Sequence, residues 1–222
     1  MARGRHPARL RVSTPEPALL HTYFTRFESK TLYFHPERFP VLDSPTFFHN
    51  DKPLHLDAGC GSGEFICECA RTHPENNYIG IDTYVKGLYK AVHTAHAYGL
   101  DNVHFVNADI KNAVIKLTAG RLSAVYVLFP TPVLQKKHRK YQIVTPSFLD
   151  HMARALLPDG TITVCTDSFE FFEIMKEIAL DAHGFSCETF SGYPHTISTY
   201  HCTRWQQQGR DMWGFILGKH LH

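Results

Sequence analysis

Short apolar runs alternate with amphipathic stretches over most of the chain. Leu54 to Ala58, Tyr78 to Asp82, Val103 to Asn107, Leu122 to Phe129 and Thr161 to Thr166 are each four to eight residues of mostly apolar character. That length and composition suit a strand buried on both faces. Between them, apolar residues recur at helical spacing over 64–72, 85–98, 111–117, 145–157 and 168–182. Phe65, Ile66, Cys69 and Ala70 fall on one face of the first of these. Gly99 follows the second at the position where a left-handed residue closes a helix. Pro158-Asp159-Gly160 reads as a turn into the fifth strand. Two further strands are expected near 186–190 and 212–218 with no helix between them, hence an antiparallel hairpin at one edge. The pattern predicts an α/β, Rossmann-like, doubly wound and mostly parallel seven-stranded sheet with that hairpin at its edge.

The first fifty residues break the pattern. Residues 1–16 are basic and irregular and end at two prolines, Pro15 and Pro17, which argue against a helix passing through. Residues 18–50 are rich in Phe, Tyr, His and Pro without clean periodicity, and are expected to form a cover segment with a short helix. The division is therefore a basic arm and aromatic cover over 1–50 and an α/β domain over 51–222.

The chemistry concentrates after the first strand, in Asp57-Ala58-Gly59-Cys60-Gly61-Ser62-Gly63-Glu64. Three alternate glycines let the backbone turn sharply and let a ligand press against the main chain, and the next helix opens with unpaired N–H groups. The spacing is G-x-G-x-G and lacks the G-x-G-x-x-G of dinucleotide sites. About 20 residues on, Asp82 ends the second strand, where a carboxylate can accept both hydroxyls of a ribose. Asp57 stands where the amino end of an amino-acid-like ligand needs an acid, and Asn107 and Asp109 follow the third strand. This set resembles class I S-adenosylmethionine-dependent methyltransferases. The resemblance implies S-adenosyl-L-methionine bound by Asp57, Gly59, Gly61, Gly63, Asp82, Asn107 and Asp109. In open α/β sheets ligands sit at the carboxyl ends of the strands, which puts Asp57, Gly59, Asp82, Asp109, Thr131 and Asp167 along one rim.

Composition narrows the class without adding chemistry. The 222 residues are 43% hydrophobic and 20% charged, as in ordinary globular chains. No apolar run reaches a membrane span, and the first residues have no signal-peptide core, so a cytoplasmic protein is expected. Six scattered cysteines (Cys60, Cys67, Cys69, Cys165, Cys187 and Cys202) lack paired metal-site spacing and read as reduced structural thiols, with no metal expected. The net charge of +2 is small. It is distributed unevenly, however, with Arg3, Arg5, Arg9 and Arg11 in the arm and Lys136, Lys137, His138, Arg139 and Lys140 clustered in mid-chain, where phosphate contacts are possible.

Residues 129–144, Phe-Pro-Thr-Pro-Val-Leu-Gln-Lys-Lys-His-Arg-Lys-Tyr-Gln-Ile-Val, resemble the F-P-D-P-W-P-K-K-R-H-x-K-R-R-[LI]-V signature of tRNA (guanine-N7-)-methyltransferases without a gap. Pro146-Ser147-Phe148-Leu149, Thr166-Asp167 and Thr203-Arg204-Trp205-Gln206-Gln207-Gln208-Gly209 are similar to that family's P-x-F-L, T-D and T-x-F-E-x-x-G, and the likeness spans roughly 54–217. It implies catalytic positions at Asp167 and Thr131 and substrate contacts at Gln135, Lys136, His138, Thr203 and Gln206. The departures fall on the acceptor side. The family's Asp is Thr131, its Lys is Gln135, its Glu is Gln206, and its Arg-Arg pair is Tyr141-Gln142, which removes two phosphate contacts. Three functions follow from this: methylation of guanosine N7 in tRNA, methylation of a small nitrogen heterocycle by a divergent relative, or a non-catalytic module that binds cofactor or RNA. Attack by a ring nitrogen lone pair needs no base, so the loss of one carboxylate does not exclude turnover.

Overall fold

The computed structural model describes residues 11–197 and 199–220, apart from the side chains of Ser29, Lys136, Arg139, Lys140, Tyr200 and His201. The arm residues Arg3, Arg5 and Arg9, and the Lys136 side chain, therefore lie outside what is described; Arg11 is exposed.

Eight strands form one sheet. They are β1 (Phe24–Arg26), β2 (Leu54–Ala58), β3 (Asn77–Asp82), β4 (Val103–Asn107), β5 (Leu122–Leu128), β6 (Leu156–Thr166), β7 (Phe185–Ser191) and β8 (Trp213–Lys219). Their order is β1-β4-β3-β2-β5-β6-β8-β7, and neighbours from β1 to β6 are parallel. Strand β8 runs antiparallel to both β6 and β7. The helices are α1 (Pro17–Tyr23), α2 (Ser29–Phe34), α3 (Ser44–Phe48), α4 (Glu64–Thr72), α5 (Val85–Ala97), α6 (Ile110–Ala113), α7 (Pro146–Ala155), α8 (Phe169–Leu180) and α9 (Tyr200–Gln207).

Strand alternation sorts the core into two layers. Leu54, Leu56, Ile79, Ile81, Val125 and Val127 point to the face covered by Phe148 and Met152 of α7 and Phe171 and Met175 of α8. Tyr78, Val103 and Phe105 point to the other face, under Phe65 and Ile66 of α4 and Leu88, Ala91 and Val92 of α5. Burial on both faces explains why these strands read as nearly continuous apolar runs.

Three expectations change. The sheet has one more strand than predicted, because Phe24–Arg26, inside the expected cover segment, pairs with Phe105–Asn107 of β4. A helix, α9, does stand between the last two strands. It is polar along most of its length and buries Cys202, so no apolar period announces it, while Thr199 caps it by accepting from Cys202 N–H at 3.0 Å. Pro158-Asp159-Gly160 is carried inside β6 as an irregularity, where the pairing jumps from Leu122↔Leu156 to Ala124↔Thr161. Gly99, at φ 63°, ends α5 as expected. No helix among the described residues is long and apolar enough to cross a membrane.

Candidate active site

The turn after β2 is held from both sides. Gly61 has φ 56° and Gly63 φ 72°, a region that L side chains rarely adopt. At Gly63 a Cβ would also stand 2.5 Å from Ala91 Cβ, so the absent side chain lets the turn pack on α5. Gly61 N–H donates to one oxygen of Asp82 at 2.9 Å, and Tyr84 N–H donates to the other at 2.7 Å. Asp82 thus ties the glycine turn to the start of α5, and each oxygen keeps a second lone pair for a ligand hydroxyl. At the far end of the turn, Glu64 accepts from Lys90 Nζ at 2.8 Å and from the Ser62 hydroxyl at 3.3 Å.

Asp57 lies behind the turn, 3% exposed. Burial, and then the neighbouring Asp82 carboxylate, push its carboxyl up to about 8, and no described cation pairs with it. A carboxyl so placed is costly to ionise until a cation arrives. It faces a small cavity of about 130 Å³ shared with Gly59, Gly61, Phe65 and Phe129.

That cavity adjoins a larger cleft of about 510 Å³ over the strand ends, lined by Gly59, Gly61, Asp82, Asp109, Thr131, Tyr141 and Ile143 among others. Gly63 does not line it and acts by packing. Asn107 stands beneath: its amide donates to the backbone oxygens of Asp82 and Thr83 at 3.0 and 3.1 Å, which fixes the end of β3 against β4. Asp109 caps α6 by accepting from Lys111 N–H at 3.1 Å.

A second cleft, about 480 Å³, opens beside the first and is lined by Thr131, Pro132, Val133, Leu134, Gln135, His138 and Tyr141. Thr131 and Tyr141 line both. Phe129, at the head of this loop, has φ 51°, uncommon for a non-glycine residue. Its N–H donates to Cys165 O at 2.7 Å, and the strain sits where two prolines force the chain off the end of β5. The basic cluster begins a 3₁₀ turn, Lys136–Tyr141, on which Lys137 and His138 are exposed.

The structure separates the acceptor-side positions into two groups. Thr131, Gln135 and His138 meet at the second cleft. Asp167 lines neither cleft; it accepts from Arg210 Nη1 at 3.0 Å, and the Arg210 guanidinium lies 4.1 Å from the Trp205 ring centroid. Asp167 does not cap α8, because the Ser168 hydroxyl does so by accepting from Phe171 N–H. Thr203 and Gln206 are exposed on α9. The Tyr141-Gln142 pair divides as well: Tyr141 is 63% exposed, whereas Gln142 is 2% exposed and donates to Val144 O at 2.7 Å. Gln142 therefore faces inward in this chain, in line with the expected loss of a phosphate contact at that position. In the sequence Phe129 and Ile143 had no reading beyond their place in the family signature, and Tyr141 only that of a lost arginine; its place on the cleft comes from the fold.

The family model described as "Putative methyltransferase" matches residues 51–215. The chain is 36% identical over 222 residues to the tRNA (guanine-N(7)-)-methyltransferase of Chloroherpeton thalassium, covering 98% of each chain. It is 35% identical over 217 residues to the protein of the same name from Rubrobacter xylanophilus, covering 96% of this chain and 97% of that one. Among solved structures, the 16S rRNA methyltransferase KamB aligns with a TM-score of 0.57 at 17% identity, over 78% of this chain and 91% of that one. A 16S rRNA (adenine(1408)-N(1))-methyltransferase variant from Catenulisporales acidiphilia, solved with its cosubstrate SAM, aligns with a TM-score of 0.58 at 18% identity, over 78% and 88%. Identities this low speak for the fold alone. Two near-full-length relatives and a matching family model together assign the chain: it belongs to the tRNA (guanine-N(7)-)-methyltransferase family.

Proposed function

We propose that this enzyme transfers the methyl group of S-adenosyl-L-methionine to N7 of a guanosine in tRNA, in the cytoplasm. The observation that carries the donor assignment is Asp57, a buried carboxyl at the back of the glycine turn with no described cation beside it. A ligand bearing both a cationic amino-acid end and a ribose fits the two adjoining spaces, since Asp57 in the small cavity takes the cation and Asp82 in the larger cleft takes the hydroxyls. The donor supplies a methyl group on a sulfonium, an electrophile that needs no activation by the protein.

The protein's part is positioning. Gly59 and Gly61 line the donor cleft with backbone, Gly63 and Asn107 hold the turn and the strand ends in place, and Asp109 closes the far side. With the donor bound, the N7 lone pair would form the new bond to the methyl carbon as the carbon–sulfur bond broke, its electron pair leaving with sulfur. The purine ring becomes cationic and no proton has to be removed, so a threonine at position 131 is compatible with turnover. Thr131, Gln135 and His138 line the acceptor cleft and supply hydrogen-bonding groups there. Lys136, Thr203 and Gln206 extend the contact surface, and Asp167, through its pair with Arg210, sets the charge at the edge of the acceptor side. The acceptor's identity rests on relatives named for tRNA; a small free heterocycle and a non-catalytic module have no observation behind them.

Incubation with labelled methyl donor and either bulk tRNA or a small-molecule extract tests the reading. Label recovered as 7-methylguanosine from digested tRNA is the expected result. Label in the extract alone, or in neither, overturns it.

A further inference from the structure

We infer that Tyr141 is the platform on which the acceptor base stacks, and so a specificity-determining residue for an unstacked purine; the inference rests on the reading of tRNA as acceptor. Tyr141 stands on the wall between the donor cleft and the second cleft, and with Thr131 it lines both. A group that receives the methyl must reach that wall, because the electrophilic carbon has to meet the acceptor nitrogen at near-attack distance.

The chemistry of the second cleft suits a flat aromatic. Its lining includes apolar groups, Pro132, the buried Val133 and Leu134. Tyr141 is 63% exposed, with the His138 ring 6.3 Å away between centroids. Gln135, His138 and Thr131 add polar groups to the same lining. An exposed aromatic ring in a cleft lined by apolar and hydrogen-bonding groups is the arrangement that holds a splayed nucleobase, stacked on its face and read at its edges. The Lys111 ammonium, paired with Asp109 at 3.7 Å, stands 6.0 Å from the Tyr141 centroid.

Tyr141→Ala and Tyr141→Phe separate stacking from every other role of the residue. Base–aromatic stacking lost on alanine substitution corresponds to about 5-fold to 150-fold in affinity. Tyr141→Ala is expected to raise KM for tRNA, or lower kcat/KM, within that range. Calorimetric affinity for S-adenosylhomocysteine should stay within about twofold, and Tyr141→Phe should restore most of the loss because the ring face remains. Thermal melting of each variant checks folding, which an exposed side chain should leave unchanged. Two results overturn the inference: tRNA kinetics of Tyr141→Ala equal to those of the unaltered enzyme, or a loss confined to donor affinity, which would assign the ring to the donor instead. If the unaltered enzyme itself labels no tRNA, the proposed function fails and this inference falls with it; if it labels tRNA and Tyr141→Ala is neutral, this inference fails alone.

Discussion

The two halves of the site are built on opposite plans. On the donor side, apart from the buried Asp57 carboxyl, polar groups are satisfied within the chain: both Asp82 oxygens accept from backbone N–H groups, Asn107 donates to two carbonyls, and Glu64 pairs with Lys90. On the acceptor side, Thr131, Gln135, Lys137, His138 and Tyr141 are exposed on a loop and a 3₁₀ turn. The donor side is thus held by hydrogen bonds to backbone. Most departures from the family signature, at Thr131, Gln135, Tyr141 and Gln206, are exposed side chains, with the buried Gln142 the exception. Substitutions on the donor side should therefore cost binding outright, and those on the acceptor side should retune rate and preference.

Asp82→Ala should have the largest effect. It removes the acceptor for two backbone N–H groups, each a bond to a charged group worth about 1.5–3 kcal/mol. Loss of both unpins Gly61 from α5, and S-adenosylhomocysteine affinity by calorimetry should fall by about 100-fold or more. A loss below threefold would mean that the turn is held by glycine packing alone, and the contrast between the halves would weaken.

Asp57→Asn sharpens the same contrast through pH. Folding raises the Asp57 carboxyl from its ordinary value near 4 to about 8. The folded state thus holds a proton that the unfolded state has released, and stability declines as pH rises from about 4 to 8, by at most about 1.4 kcal/mol per unit. His55 and His104 act in the opposite sense. Burial holds each imidazole at about 4, neutral when folded, so stability falls as pH drops from about 6.5 to 4. His104 is fixed as that neutral form, with Nδ1 donating to Thr22 O and Nε2 accepting from Thr25 Oγ1 at 2.9 Å. Taken together, the contribution of these three groups to stability is greatest near pH 6.5. Asn at 57 should abolish the alkaline decline and raise the melting temperature at pH 8, while donor affinity falls about tenfold. A melting profile unchanged above pH 6.5 would show that Asp57 is already ionised and would remove the basis of the donor assignment.

These predictions rest on features that the sequence revealed unequally. The glycine turn and the acids after β2, β3 and β4 were legible because a strand buried on both faces ends abruptly and the turn chemistry follows at once. Gly99 was legible for the same reason, as a cap closing a periodic run. Strand β1 was not, because three residues carry no period and owe their extension to pairing with β4. Helix α9 was hidden by its polar surface, and the inward turn of Gln142 by its polarity, since only the fold shows that Val144 O needs its amide. The Asp167–Arg210 pair joins residues 43 positions apart, beyond any local pattern.

On the acceptor side, Asp167→Asn tests what kind of nitrogen is methylated. An acceptor that must lose a proton would make Asp167 a base, and turnover would fall by about 100-fold or more. Guanine N7 loses none, and the Asp167 carboxylate already faces Arg210 at 3.0 Å, so the expected fall in kcat is about tenfold or less, with donor affinity unchanged. A loss of 100-fold would break the N7 assignment while leaving the donor half intact.

Thr131→Asp should have the smallest effect, and it is a gain. The position lies on the wall shared by both clefts, so a carboxylate there would stand near a ring that becomes cationic as N7 bonds to carbon. Because Thr131 is exposed, water screens the interaction; a unit charge pair about 4 Å apart is worth about 1 kcal/mol in that setting, or about fivefold in rate. The rise should appear in kcat on tRNA, shrink with added salt, and leave S-adenosylhomocysteine affinity unchanged, since the contact proposed for the donor's cationic end is Asp57, which lines a different cavity. A fall in kcat would reverse the interpretation: the Thr131 hydroxyl would then be a hydrogen-bond donor on which the acceptor depends, and the acceptor half would be as firmly pre-formed as the donor half.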